Sequence, residues 1–123
     1  MAVMTMRLEK RSLDRPDQVV TFRKTRMEIY RLGERTVMRT TLEPGWRWQE
    51  HIRPEVRGDF CEAEHLGYVI SGRLGVRMSD GEVLELHAGD LVNVPPGHDA
   101  WVIGIEPVVF LDFTAGEAFS KTR

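Results

Sequence analysis

The chain has one cysteine, Cys61, in 123 residues, so no intrachain disulfide can form. A lone cysteine suits a reducing compartment, and a cytoplasmic location is the expectation. Met1–Arg11 has no apolar stretch of signal-peptide length. No run approaches the ~20 apolar residues of a membrane span, so no membrane partner is expected. Charge is nearly balanced: 17 Lys and Arg face 19 Asp and Glu, a formal −2, which favours neither nucleic acid nor an anionic surface. A basic helix and a glycine-rich phosphate loop are both missing, since Gly33, Gly45 and Gly58 are isolated turn glycines. No nucleophilic triad is visible, and long helical periodicity is absent.

Short runs of β-branched and aromatic residues fill the chain instead, punctuated by Gly, Pro and Asp. Leu74, Val76 and Met78 alternate with Arg73, Gly75 and Arg77, the period of a half-buried strand. Glu43-Pro44-Gly45, Asp80-Gly81 and Ala88-Gly89-Asp90 are turn signals. Strands are expected at 19–22, 27–32, 36–42, 46–52, 65–71, 73–78, 83–86, 91–94, 98–103 and 108–113. Short strands at such spacing predict an all-β sandwich or closed barrel, architectures that manage their edges by rolling or closure. The length suits one domain. The expected organisation is an irregular arm over 1–18, one β domain over 19–116 and a tail over 117–123. Residues 1–39 carry ten basic and five acidic residues. That imbalance reads as an arm lying against the acidic remainder, in the same chain or a partner.

Two spaced motifs narrow the fold. Gly45 is followed by five residues and His51, and His65 by six residues and Gly72. Further on, Gly89, Pro95 and Gly97 frame Gly89-Asp90-Leu91-Val92-Asn93-Val94-Pro95-Pro96-Gly97. Over about residues 36–114 the chain resembles the cupin superfamily, and more narrowly the small single-domain bacterial cupins. The resemblance implies an all-β double-stranded β-helix, or jelly-roll barrel, around a metal-capable pocket. The departures all concern the metal. The second His of the family's first motif falls on Arg53, its Glu on His65, and the last His of the second motif on Ala100, two residues after His98. A second alignment, counted back from His65, places Asp59 and Cys61 at the His-x-His positions.

By residue type His51, His65, His98 and Cys61 are the candidate metal ligands, because imidazole and thiolate suit zinc, iron, nickel or copper. His98 and Ala100 share a strand face, so His98 can reach the pocket from the family's ligand side. Asp59, Glu62 and Glu64 beside Cys61 are expected to raise its thiol pKa unless a metal is present. Trp48, Arg53, Tyr68 and Trp101 are candidate pocket residues: aromatics for packing or stacking, Arg53 as a carboxylate clamp, Tyr68 as a proton donor. His87 reads as an exposed turn residue. The expected function is a metal-binding module for a small organic molecule, as a sensor or accessory protein. The alternatives are a metal-dependent enzyme of dioxygenase or isomerase type, and a metal-free structural or interaction protein. A homodimer is expected, with Val19–Phe22 and Met27–Tyr30 pairing across chains.

Overall fold

Alternating apolar runs between Gly, Pro and Asp turns fold into nine strands among the described residues, each paired antiparallel. A computed structural model describes residues 7–121, and residues 1–6 of the expected arm and 122–123 of the expected tail lie outside the described residues. The strands are β1 (Gln18–Phe22), β2 (Thr25–Leu32), β3 (Arg35–Leu42), β4 (His65–Ser71), β5 (Arg73–Met78), β6 (Val83–His87), β7 (Leu91–Val94), β8 (His98–Ile103) and β9 (Val108–Asp112). Six form one sheet in the order β1-β2-β3-β9-β4-β7, and three form the other in the order β6-β5-β8. This is the expected jelly roll. The crossover placing β9 between β3 and β4 rolls the chain so that residues far apart in sequence face one interior.

The interior is set by parity. In β4, Gly67 and Val69 are buried while Leu66, Tyr68 and Ile70 are exposed; in β9, Val108, Phe110 and Asp112 are buried. One core cluster, including Trp46, Trp48, Val69, Val108 and Phe110, lies between the sheets. A second joins Val20, Met27, Ile29 and Met38 to Ala115 and Phe119. Phe119 closes a short helix, α2 (Gly116–Phe119), at the end of the described chain. The lead-in is pinned to the sheet: Tyr30 Oη donates to the Leu13 carbonyl at 2.6 Å and Arg39 to the same oxygen at 3.1 Å. The ion pairs of Arg11 with Asp17, and of Arg26 and Arg39 with Glu28, stay within the N-terminal segment.

One expected strand, 46–52, is a helix. Trp46 still behaves as strand: its carbonyl accepts from Val102 N at 2.9 Å, and its Nε1 donates to Thr25 Oγ1 at 2.9 Å. After Arg47 the chain turns into α1 (Trp48–His51), followed by a 3-10 turn at Arg53–Glu55 containing Pro54. The His51 ring drives this: its Nδ1 accepts the Arg47 N–H at 3.0 Å, one of the donors that a helix start leaves unpaired.

Gly67 lies opposite Asp112 where β4 meets β9. A Cβ there would collide with the Leu111 carbonyl oxygen and the Phe110 ring. Backbone cannot yield as a flexible side chain does, so Gly67→Ala is expected to destabilise the fold by about 3 kcal/mol, measured by denaturant unfolding.

Candidate metal centre

Three of the four expected ligands meet. One donor atom each from Cys61, His65 and His98 lies within 4.8 Å of the others. They come from distant segments: Cys61 from the loop after the 3-10 turn, His65 from the first position of β4, His98 from the first of β8. Backbone pairing sets Cys61 against His98, with Cys61 N donating to the His98 carbonyl at 2.7 Å and His98 N returning to Cys61 O at 3.2 Å. The two rings stand edge to face with centroids 5.1 Å apart.

Each imidazole is oriented through its far nitrogen. His98 Nδ1 lies 2.8 Å from the Pro95 carbonyl and His65 Nδ1 lies 2.5 Å from Asp112 Oδ2. Occupying both Nδ1 atoms leaves Nε2 as the free nitrogen of each ring, the arrangement metal-binding histidines adopt. Asp112 is fully buried, and its Oδ1 accepts from Thr114 N at 3.1 Å and Ala115 N at 3.0 Å. Phe110 packs edge-on and Phe119 stacks on His65, both with centroids 6.4 Å away.

This environment makes the cluster a charge pair. Burial pushes the Cys61 thiol up, but hydrogen bonds to His65 and His98 and their nearby charge outweigh it and lower the pKa to about 6. Burial pushes His65 down, but the Asp112 and Cys61 hydrogen bonds outweigh it and raise the pKa to about 9. The expected upward shift of Cys61 is therefore corrected: its thiol faces the buried rings, while Asp59, Glu62 and Glu64 are exposed.

The residues fit a divalent transition metal. Ligands of a tetrahedral ion at 2.0–2.3 Å stand about 3.5 Å apart. The three donors, all within 4.8 Å of one another, need only small side-chain shifts to reach that spacing. A cavity of about 80 Å³ adjoins them, with almost wholly apolar walls including Trp48, Leu42, Val76 and Phe110. Ala100 lines it beside His98, as the shared strand face requires.

Of the remaining candidates only Trp48 reaches the cavity among the described residues. His51 caps α1, does not line the cavity, and has its Nε2 3.1 Å from the Glu50 carboxylate. Arg53 is exposed and pairs with Gln49 at 2.9 Å and Asp59 at 2.5 Å, so it clamps nothing inside. Tyr68 has the outward parity of β4 and is 38% exposed. Trp101 lies on the outer side of β8 against Gly75, beside Arg47 and Arg77. Trp48 lines the cavity. Cys61, at the position given by the second motif alignment, joins His65, whereas Asp59 does not. Asp112 and Phe119 were not anticipated, although Asp112 shares the inward parity of Val108 and Phe110.

A family model described as cupin domain matches residues 38–114. No curated protein matches the chain in sequence. Among solved structures, a protein from Rhizobium leguminosarum bv. viciae is 19% identical over 89% of this chain and 97% of its own, with a TM-score of 0.59. A cupin-2 domain from Rhodospirillum rubrum is 17% identical over 88% and 67%, with a TM-score of 0.56. The polyketide cyclase RemF from Streptomyces resistomycificus is 21% identical over 76% and 66%, with a TM-score of 0.54. At these identities the likeness concerns the fold.

In metal-free protein the thiolate absorbance of Cys61 is expected to appear with a midpoint near pH 6 instead of 9.0. Asp112→Asn removes the charge that holds the proton on His65. Ultraviolet titration of that variant should show the Cys61 midpoint raised by roughly one unit.

Proposed function

The chain belongs to the cupin domain family, and from that premise we propose that Cys61, His65 and His98 hold one divalent transition metal, while the adjoining cavity receives a small organic molecule. The observation that carries this reading is the convergence of three donors within 4.8 Å, with both imidazoles tethered through Nδ1. A thiolate and two imidazoles suit zinc, iron, nickel or copper. Three protein donors leave a position for water or ligand.

Binding or sensing is favoured over turnover. Among the described residues, the titratable groups lining the cavity are the three donors and Asp112, and Asp112 is committed to His65 and two backbone amides. Tyr68 and Arg53, the expected proton donor and clamp, face away. The second reading, a metal-dependent enzyme, draws on the open position itself, since a metal there supplies Lewis acidity to a bound oxygen. The reading includes a reducing compartment, which keeps a thiolate ligand available.

It also includes a homodimer. Of the strands expected to pair across chains, β2 is flanked on both sides within its own chain and only β1 keeps a free edge. The better candidate is the outer face of the larger sheet, where Leu66, Tyr68, Ile70, Phe113 and the 81% exposed Leu91 form an apolar patch. Tyr68→Glu with Leu91→Glu should give a monomer in sedimentation; a retained dimer would put the interface elsewhere.

Elemental analysis of untagged protein should find about one first-row transition metal per chain, lost in His65→Ala and His98→Ala but kept in His51→Ala. Asp112→Asn should weaken binding by about 10–100-fold. Between pH about 6 and about 9 the metal-free cluster holds one proton, on His65, that metal must displace. Affinity should therefore rise about tenfold per pH unit across that window, with about one proton released in calorimetry. Folded protein that neither contains nor takes up metal would overturn the metal reading.

A further inference from the structure

Trp46 and Trp48 are both buried, yet only one indole is satisfied. Trp46 Nε1 donates to Thr25 Oγ1 at 2.9 Å. Trp48 is 3% exposed, and its Nε1–H has no hydrogen-bond partner. An orphaned buried donor costs about 1–3 kcal/mol, and one that lines a cavity regains that cost when an acceptor enters. Trp48 is the first residue of α1, held by the His51 cap, and lines the same cavity as Cys61, His65 and His98. It also borders an outer groove lined by Val56, Phe60 and Phe119, which places it between solvent and interior.

We infer that Trp48 is the ligand-anchoring residue of this cavity, donating its indole N–H to the oxygen of a small uncharged, largely apolar carbonyl compound. The inference rests on the cavity reading above and adds the class of ligand. Size, wall chemistry and charge each support that class. At about 10–15 Å³ per water-sized group, about 80 Å³ admits roughly six such groups. Among the described residues, the walls are largely apolar and include no lysine or arginine. The Cys61 thiolate and the Asp112 carboxylate together balance a divalent cation, so a carboxylate ligand would enter as an uncompensated charge. A neutral carbonyl carries no such cost and brings the acceptor that Trp48 lacks.

The test uses cyclopentanone as the probe, its hydrocarbon isostere methylenecyclopentane, and cyclopentanecarboxylate, on indole-¹⁵N-labelled protein in metal-free and zinc-loaded forms. The Trp48 N–H resonance, identified by its loss in Trp48→Phe, should shift with cyclopentanone and stay in place with methylenecyclopentane. Trp48→Phe keeps the aromatic wall, and should weaken cyclopentanone about five- to tenfold while leaving methylenecyclopentane unchanged. Cyclopentanone that binds without moving the Trp48 resonance, or binds Trp48→Phe equally well, overturns the role of Trp48 and leaves the cavity reading intact. Tighter binding of the carboxylate overturns the ligand class. If no probe binds to protein that loads zinc, the inference and the ligand-cavity reading fail together, while the metal reading stands on its own titration. If Trp48→Phe folds poorly, the Trp48 resonance is assigned in the wild-type protein from its nuclear Overhauser contacts, and the wild-type shift keeps the test decisive.

Discussion

The buried carboxylate of Asp112 is the constraint on which the site depends. A charge removed from water is tolerated only when its oxygens are matched, and breaking such a pair costs about 3–5 kcal/mol. Here one oxygen takes the His65 ring and the other takes the amides of Thr114 and Ala115. Ala115 is the N-cap of α2, so the same group that aims His65 also starts the helix that lays Phe119 over that ring. Ring orientation, chain reversal after β9 and closure of the cavity are thus coupled through one side chain. Gly67 makes the coupling possible: it stands directly opposite Asp112 without a side chain, letting β9 approach until the carboxylate leans across to His65, two residues along the same face.

Most of the fold was legible because strand periodicity is local. Turns at Pro44-Gly45, Asp80-Gly81 and Ala88-Gly89 and the alternation in β5 need only neighbours to be read. What failed at 46–52 failed for a local reason with a tertiary cause. Trp46-Arg47-Trp48 alternates like a strand, but Trp46 anchors to Thr25 and Val102 while His51 folds back on Arg47, and the helix wins over the pattern. Motif spacing put His51 among the ligands and Arg53 at an inward position; the helical turn at 48–51 takes both out of the strand parity that the motif presupposes.

The site was legible in its donors and opaque in its supports. His65, His98 and Cys61 could be named from residue type and motif spacing, since those are properties of the chain. The low thiol pKa of Cys61 could not, because sequence neighbours suggested acids while the fold turned those acids to solvent and set two imidazoles against the sulfur. Asp112 had a readable sign, an acid in phase with Val108 and Phe110. Its partner lies 47 residues away in sequence, and only the β4–β9 register joins them.

Whether such a site stabilises the fold or uses it follows from where the core lies. In a small metal-dependent fold the ion substitutes for a missing core, and the chain is unfolded without it. Here twelve buried residues besides Cys61 form the core cluster between the two sheets. The metal-free cluster is also internally matched, with a thiolate against an imidazolium that a carboxylate supports. On the proposed metal reading, binding would exchange the His65 proton for a metal inside a fold that has its own core, so the site would serve a ligand instead of the fold.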